Sequence, residues 1–243
     1  MDTQMRLYWE TFSEFYTTKE IIKLAFNPLR DFEDELTDGA IVDFGCGQAS
    51  FLLDYAGKGK RLIGVDNDNY QLEQLQLRFE ELAASENQLI LQNLDIFNDQ
   101  LPQEHYAAVF LANIMHFFNL EDCVKILTKI EAQLSAGSFV YISVHPDQYY
   151  ANNPASPANN DYFKHYFTLA DLDNLFPSER YERLFYAHIE RSSTKKERNV
   201  KEVWVDKFLD HNQIQPGKLR DMIRMENTAD HPQNDRICVY RLL

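Results

Sequence analysis

Several features are scarce in this 243-residue sequence, and each scarcity removes a class of protein. No run approaches the roughly 20 uninterrupted apolar residues of a membrane helix, and the start lacks the basic-then-apolar layout of a secretion signal. The three cysteines, Cys46, Cys123 and Cys238, lie far apart without paired spacing, so they predict neither a disulfide framework nor a zinc site. We therefore expect a cytoplasmic chain with no membrane partner and no bound metal.

Positive charge is scarce as well. The chain has 24 basic and 38 acidic side chains, which gives a net charge of −14. Affinity for nucleic acid rests mainly on cationic contacts to phosphate, so DNA and RNA are not expected partners. Basic residues do cluster at 190–201, which we interpret as a solvated loop, with an anionic partner as the alternative.

Short apolar runs alternate with helical patterns along the chain, which is typical of a parallel sheet covered by helices. We predict strands at 40–44, 61–66, 88–93, 106–113, 138–144, 181–190 and 236–243. We predict helices at 48–57, 69–85, 120–137 and 168–176, with an amphipathic helix or two before the first strand and helical patches broken at Pro216-Gly217.

These patterns predict one α/β domain over residues 1–243 with a Rossmann-like, seven-stranded, mostly parallel sheet. Its last strand is antiparallel, and helices cover both faces. We expect a helical cap at 1–36, a nucleotide-binding core at 37–145, and a substrate loop with the C-terminal strands at 146–243. The segment after residue 145 is rich in Asn, Pro and Ala, as a long functional loop often is.

The stretch IVDFGCGQAS at 41–50 combines a strand, an acid and two glycines. Such a turn lets backbone approach a nucleotide cofactor, but the dinucleotide fingerprint would need a third glycine at Ser50. Asp43 discriminates between cofactors, because a carboxylate at the end of an apolar strand needs a donor-rich or cationic partner. It repels a pyrophosphate, whereas S-adenosylmethionine (SAM) carries two cations. A helix-capping role for Asp43 is the alternative.

Residues 40–145 resemble a class I SAM-dependent methyltransferase domain through several motifs in order: IVDFGCGQAS, LIGVDND, NLDIFN and AAVFLANIMHFF. Two departures from the family pattern are Ala49 in place of the last glycine and SAGS where the family often has a Gly-Gly turn. The resemblance implies that Asp66 holds the ribose hydroxyls, that Asp95 meets the adenine with Ile96 against the ring, and that Tyr16 flanks the sulfonium. The implied cofactor-binding residues are Tyr16, Asp43, Gly45, Cys46, Gly47, Asp66, Asn67, Asp95, Ile96 and Asn113.

Two histidines follow predicted strands four and five, at the edge where an open α/β sheet binds ligands. His145 is a candidate general base, because a methyl acceptor must lose a proton and histidine titrates near neutrality; the alternative is a turn residue with no partner. His116 is either a wall of the site, a proton acceptor or a packed histidine. We expect methyl transfer to a small molecule, in a pocket walled by Tyr149, Tyr150 and other aromatic side chains of the 146–167 loop. A protein acceptor, and SAM binding without turnover, remain alternatives.

Overall fold

The computed structural model describes residues 3–82, 88–155 and 162–243. These described residues form seven strands: β1 Ala40–Phe44, β2 Arg61–Asp66, β3 Gln88–Asn93, β4 Tyr106–Ala112, β5 Phe139–Val144, β6 Tyr181–Arg191 and β7 Gln233–Leu242. The helices are α1 Thr3–Phe15, α2 Thr18–Leu24, α3 Asn69–Glu81, α4 Leu120–Glu131, α5 Leu169–Leu175, α6 Lys195–His211 and α7 Lys218–Thr228.

The strands build one sheet in the order β3-β2-β1-β4-β5-β7-β6. Neighbouring strands from β3 to β5 pair in parallel, whereas β7 runs antiparallel to both β5 and β6. The predicted fold class is thereby confirmed, including the antiparallel last strand. The division of residues 1–243 into one domain with a cap, a core and a C-terminal region stays a prediction.

Alternate residues of the central strands face two separate cores, as the period of two in a strand requires. Val42 and Val109 face a core covered by α4 and α5. Ile41 and Phe110 face the opposite core, which is covered by residues of α2, α3 and α6. Helices therefore lie on both faces of the sheet, and the carboxyl ends of the parallel strands share one edge.

The first predicted helix, at 48–57, is wrong: the structure has only a 3₁₀ segment at Phe51–Tyr55. The reason lies in the backbone angles. Gly47 has a positive φ of 50°, and both Ser50 (φ −59°, ψ 143°) and Ala56 (φ −60°, ψ 129°) are extended, so only the residues between Ser50 and Ala56 are helical. Residues 83–85 of the helix predicted at 69–85 lie outside the described residues, as do 156–161 of the predicted substrate loop.

The basic segment at 190–201 is also not the predicted loop. It contains the end of β6 and the first turns of α6, which begins after a capping box at Thr194 and Glu197. The break at Pro216-Gly217 is confirmed, because it separates α6 from α7. Among the described residues, no helix combines the length and the apolar character needed to cross a membrane.

Candidate functional site

The glycine turn directly follows β1 and is held by its neighbour β2. Gly45 and Gly47 have φ angles of 68° and 50°, a region that favours glycine. The amides of Gly45 and Cys46 both donate to the carbonyl oxygen of Val65, at 2.7 and 3.0 Å. A Cβ at Gly45 would collide with the Ile114 side chain. The turn therefore requires glycine at position 45 for both its backbone angles and its space.

Asp43 is buried at the end of β1, with 1% of its surface exposed. Its Oδ2 accepts hydrogen bonds from Ser50 Oγ at 2.6 Å and from the Phe51 amide at 3.2 Å. Its Oδ1 is buried and has no hydrogen-bond partner among the described residues. Burial raises the pKa of Asp43 to about 7. One oxygen thus caps the segment after the turn, and the other fits a cationic or donor group of a ligand.

Asp66 is the last residue of β2, and its side chain connects the glycine turn to the turn that follows β2. Its Oδ2 accepts from the Gly47 amide at 2.9 Å, and its Oδ1 accepts from the Asp68 amide at 3.0 Å. Burial raises the pKa of Asp66 above its ordinary value. Asn67 follows directly and is exposed. The acid expected at the ribose therefore lies against the glycine turn, where one ligand can contact both.

Asp95 lies beyond the end of β3 and organises its own turn. Its Oδ1 accepts from the Phe97 and Asn98 amides at 2.8 and 3.2 Å, and its Oδ2 from Asn98 Nδ2 at 2.8 Å. Partial burial favours a higher pKa of Asp95, but these hydrogen bonds outweigh it and hold the pKa below the usual value. The side chain is therefore a fixed carboxylate, and the adjacent Ile96 is buried in the core.

Two residues that the sequence did not single out tie this edge to the N-terminal helices. Gln48 is fully buried in the glycine turn, and its side-chain amide donates to the Trp9 carbonyl of α1 at 3.1 Å. Arg78 of α3 donates to Gln48 Oε1 at 2.8 Å. The only sequence signal was the presence of long polar side chains in apolar surroundings.

At the next two strand ends, three rings form a parallel stack. His145 lies between His116 and Tyr149, with centroid distances of 3.9 Å on both sides and planes within 10°. Phe163 meets both histidines edge-on, at 4.8 Å. The structure thus brings together three predicted site residues that are well separated from the glycine turn in sequence.

The two histidines differ in their surroundings. His116 is 1% exposed, and burial together with the neighbouring His145 holds its pKa well below the usual value. Its Nδ1 accepts from the His145 amide at 3.4 Å. The side chain of His145 is 13% exposed, and its Nδ1 lies 3.4 Å from Asp235 Oδ1. Nδ1 makes no hydrogen bond among the described residues, so this contact is a close approach of the ring to the carboxylate.

Asp235 is a further residue that sequence reasoning missed, and it enters the site from β7. Its neighbour Arg236 is buried and donates to the Phe167 carbonyl at 2.6 Å and to Asp147 Oδ1 at 3.3 Å. Arg236 thereby fastens the loop after β5 to β7. The antiparallel strand both supplies a carboxylate to His145 and anchors the loop that carries Tyr149.

A groove of about 500 Å³ adjoins the stack. Of the described residues, those that line it come from 147–153 and from the segment before β7: Asp147, Gln148, Tyr149, Tyr150, Asn152, Asn153 and His231. Tyr150 and His231 stack at 4.4 Å with planes within 9°. The groove therefore has aromatic walls and several amide groups that can bond to a polar ligand.

The described lining of the groove includes none of the predicted catalytic or cofactor-binding residues. Three of the predicted cofactor-binding residues have the following surroundings. Tyr16 is buried, stacks on Phe12 at 4.6 Å and lies 4.5 Å from Lys196 Nζ. The Cys46 side chain is part of the core, where burial raises the pKa of its thiol. Asn113 is exposed at the end of β4, with its amide bonded to the Ser143 carbonyl at 2.9 Å. Their cofactor-binding roles stay predictions.

Residues 41–137 match a family model described as a methyltransferase domain. This part of the chain is a methyltransferase domain. The match lies over the sheet edge that carries the glycine turn and its acids, and the predicted resemblance to a methyltransferase domain is confirmed for this part of the chain. No curated protein shows significant sequence similarity to the chain.

Solved structures share the methyltransferase's fold over nearly its whole length. TehB from Haemophilus influenzae has 15% identity and a TM-score of 0.61, over 96% of this chain and 66% of that protein. Coclaurine N-methyltransferase has 12% identity and a TM-score of 0.60, over 98% and 86%. Magnesium protoporphyrin IX methyltransferase from Synechocystis PCC 6803, solved with bound SAH, has 13% identity and a TM-score of 0.58, over 96% and 83%. At these identities the likeness concerns the fold.

Proposed function

We propose that this methyltransferase transfers a methyl group from SAM to a small molecule that carries an ionisable hydroxyl or amine. The observation that carries the proposal is the pairing of His145 with Asp235 beside a groove with aromatic walls. SAM supplies an electrophilic methyl group on a sulfonium. The protein's task is then to hold the acceptor in line and to remove its proton.

The cofactor would be held by the residues at the ends of β1 to β3. Asp43 has a buried oxygen in need of a donor, which suits the cationic methionine end of SAM. Asp66 lies against the glycine turn, which suits the ribose hydroxyls. Asp95 is a fixed carboxylate beside Ile96, which suits the adenine. These features support the predicted cofactor roles, and none of them favours the anionic pyrophosphate of a dinucleotide.

His145 is the proposed general base. The Asp235 carboxylate lies 3.4 Å from its Nδ1, where it would stabilise the positive charge that the ring gains with the acceptor's proton. His116 remains neutral because its pKa is held low, and we propose that it forms a wall of the site rather than a base.

The shape of the groove favours a small acceptor over a protein. Its described lining residues come from 147–153 and His231, and the basic segment at 190–201 contributes none of them. That segment is folded into β6 and α6 and makes ion pairs of its own, such as Arg191 with Glu197 at 2.7 Å. We also place the enzyme in the cytoplasm, since all three cysteines are free, buried thiols.

A screen with methyl-labelled SAM tests the proposal. The protein is incubated with a cell extract, which is then separated into low-molecular-weight, protein and nucleic-acid fractions. We expect label in the low-molecular-weight fraction, and much less with the His145→Phe chain. Label in the protein fraction would instead identify a protein methyltransferase. SAM binding without any labelled product would show that the chain holds SAM without turnover.

A further inference from the structure

The side chain of Gln48 joins the cofactor turn to the N-terminal helix α1. Its Nε2 donates to the Trp9 carbonyl at 3.1 Å, and its Oε1 accepts from Arg78 Nη2 at 2.8 Å and from Ser13 Oγ. The preceding residue, Gly47, donates its amide to Asp66. A single peptide therefore separates the proposed ribose contact from the contact with α1.

Arg78 is a buried cation with an unusual set of partners. It is 6% exposed, and burial lowers the pKa of its guanidinium. Besides Gln48 it donates to Ser13 Oγ at 3.3 Å and to the Tyr16 carbonyl at 3.4 Å, just past the end of α1. Within the described parts of the chain, no carboxylate lies within ion-pairing distance of it. The Tyr16 carbonyl and the Gln48 side-chain oxygen thus contact the guanidinium directly, and the Glu81 carboxylate stabilises its charge from farther away.

Helix α1 also covers the turn after β2. The Arg6 guanidinium lies 3.9 Å from the ring centroid of Tyr70, near the start of α3 and four residues after Asp66. A separate set of contacts fastens α1 to α6 without involving either turn. Lys207 pairs with Glu14 at 2.7 Å, and Trp204 Nε1 donates to the Gln4 carbonyl at 3.0 Å. The contacts of α1 with the two turns and its contacts with α6 can therefore be tested independently.

We propose that Gln48 and Arg78 are positioning residues that link the docking of α1 to the binding of SAM. The inference rests on the proposed cofactor site. Gln48 holds the glycine turn in one conformation only while α1 supplies its partners, and a ligand at Gly47 and Asp66 favours that same conformation. Two partners that favour one conformation strengthen each other's binding by the same factor. Binding of SAM therefore stabilises α1, and α1 raises the affinity for SAM.

The test compares SAM affinity by calorimetry with hydrogen exchange of the α1 amides. In the unaltered chain, SAM is expected to slow exchange in α1 about tenfold or more. Gln48→Met keeps the side-chain length but loses three hydrogen bonds, so we expect about tenfold weaker SAM binding and no effect of SAM on α1 exchange. Gln48→Glu retains an acceptor for Arg78 and Ser13, and should weaken binding by about threefold only.

Lys207→Met is the matched control, because it removes a contact of α1 that does not pass through the cofactor turn. This variant should exchange its α1 amides faster. Its SAM affinity, and the factor by which SAM slows α1 exchange, should stay within about twofold of the values for the unaltered chain. If Gln48→Met fails to fold, Ser13→Ala is the second variant, because it removes one hydrogen-bond donor to Gln48 Oε1. It should reduce SAM affinity and the SAM-dependent slowing of α1 exchange, each by less than Gln48→Met would.

Two results would overturn the linkage while leaving the proposed function intact: SAM binding by Gln48→Met equal to that of the unaltered chain, or α1 exchange that SAM does not change. An equal loss of affinity in Gln48→Met and Lys207→Met would overturn it too, since general loosening of α1 would then explain both. Failure of the unaltered chain to bind SAM would overturn the proposed cofactor site itself, and this inference with it.

Discussion

The two halves of the sheet edge are built in different ways. At the ends of β1 to β3, carboxylates are held by backbone amides from nearby turns, as Asp95 is by Phe97 and Asn98. At the ends of β4 and β5, rings hold one another, and their residues come from positions 116, 145, 149, 163 and 231. The first half thus presents fixed charges and the second presents stacked aromatic surface.

This difference suits the proposed division of labour. A cofactor has one structure, so a rigid set of charged groups held by short hydrogen bonds matches it closely. The acceptor site must exclude water and align one nucleophile, which aromatic walls and one titratable ring can do. We therefore expect substitutions at the ends of β1 to β3 to change SAM affinity, and substitutions at the ends of β4 and β5 to change the rate of methyl transfer.

The largest expected effect is on the transfer rate of His145→Phe. Phenylalanine preserves the stack with His116 and Tyr149 but cannot take a proton. We expect the initial rate of label transfer into the low-molecular-weight extract fraction to fall by about 10²–10⁴-fold, with SAM affinity unchanged.

The matched control is His165→Phe, which removes another histidine close to a carboxylate, 3.2 Å from Asp171, but not part of the stack of His116, His145 and Tyr149. It should leave the transfer rate within about twofold, as is usual for a substitution away from a reacting group. An equal loss of transfer rate in the two variants, or a loss of SAM affinity in His145→Phe, would contradict the proposed difference between the two halves of the sheet edge.

The next effect in size is on SAM affinity in Asp66→Ala. Loss of charge-assisted hydrogen bonds to the ribose should cost about 1.5–3 kcal/mol, or about 10–150-fold in the dissociation constant measured by calorimetry. The control is Asp68→Ala, because Asp68 caps α3 through the Tyr70 amide at 2.9 Å. That variant should lose about 1 kcal/mol of unfolding free energy and keep its affinity. Unchanged affinity in Asp66→Ala would contradict the ribose assignment.

The smallest effect is a pH dependence of SAM binding that arises from Asp43. Its pKa in the folded chain is about 7, so below that pH the carboxyl is protonated and neutral. A cationic ligand prefers the carboxylate, so affinity should fall by at most about tenfold per pH unit between pH 7 and pH 5.5 and level off above pH 7. Calorimetry should also show release of a proton on binding near pH 6.

Asp43→Asn provides the control for this titration. Its affinity should be lower than that of the unaltered chain at pH 7.5, and nearly independent of pH. Stability gives a second check with a defined sign. Because the pKa of Asp43 is raised from 3.8, the folded chain holds a proton between these pH values that the unfolded chain has lost. The Asp43 contribution to the free energy of unfolding should therefore decrease as pH rises from about 4 to about 7.

The cofactor half was largely predictable from the sequence. Its strands, its glycine turn and the positions of Asp43, Asp66 and Asp95 follow from local patterns, because each acid stands directly at or after a strand end. The helix predicted at 48–57 failed for a tertiary reason. Ser50, whose hydroxyl donates to Asp43 of β1, has extended backbone angles (φ −59°, ψ 143°), so helical geometry begins only at Phe51.

The sequence by itself determined the order of strands and helices, the turn that only glycine permits, and the resemblance that led to SAM. Tertiary structure decided the rest. Asp235 meets His145 only because β7 pairs antiparallel with β5, a contact between residues 90 positions apart. Gln48 meets Trp9 and Arg78 only because α1 and α3 pack over the same turn. Hydrophobic periodicity specifies which face of an element is buried, but not which polar side chain of a distant element it meets there.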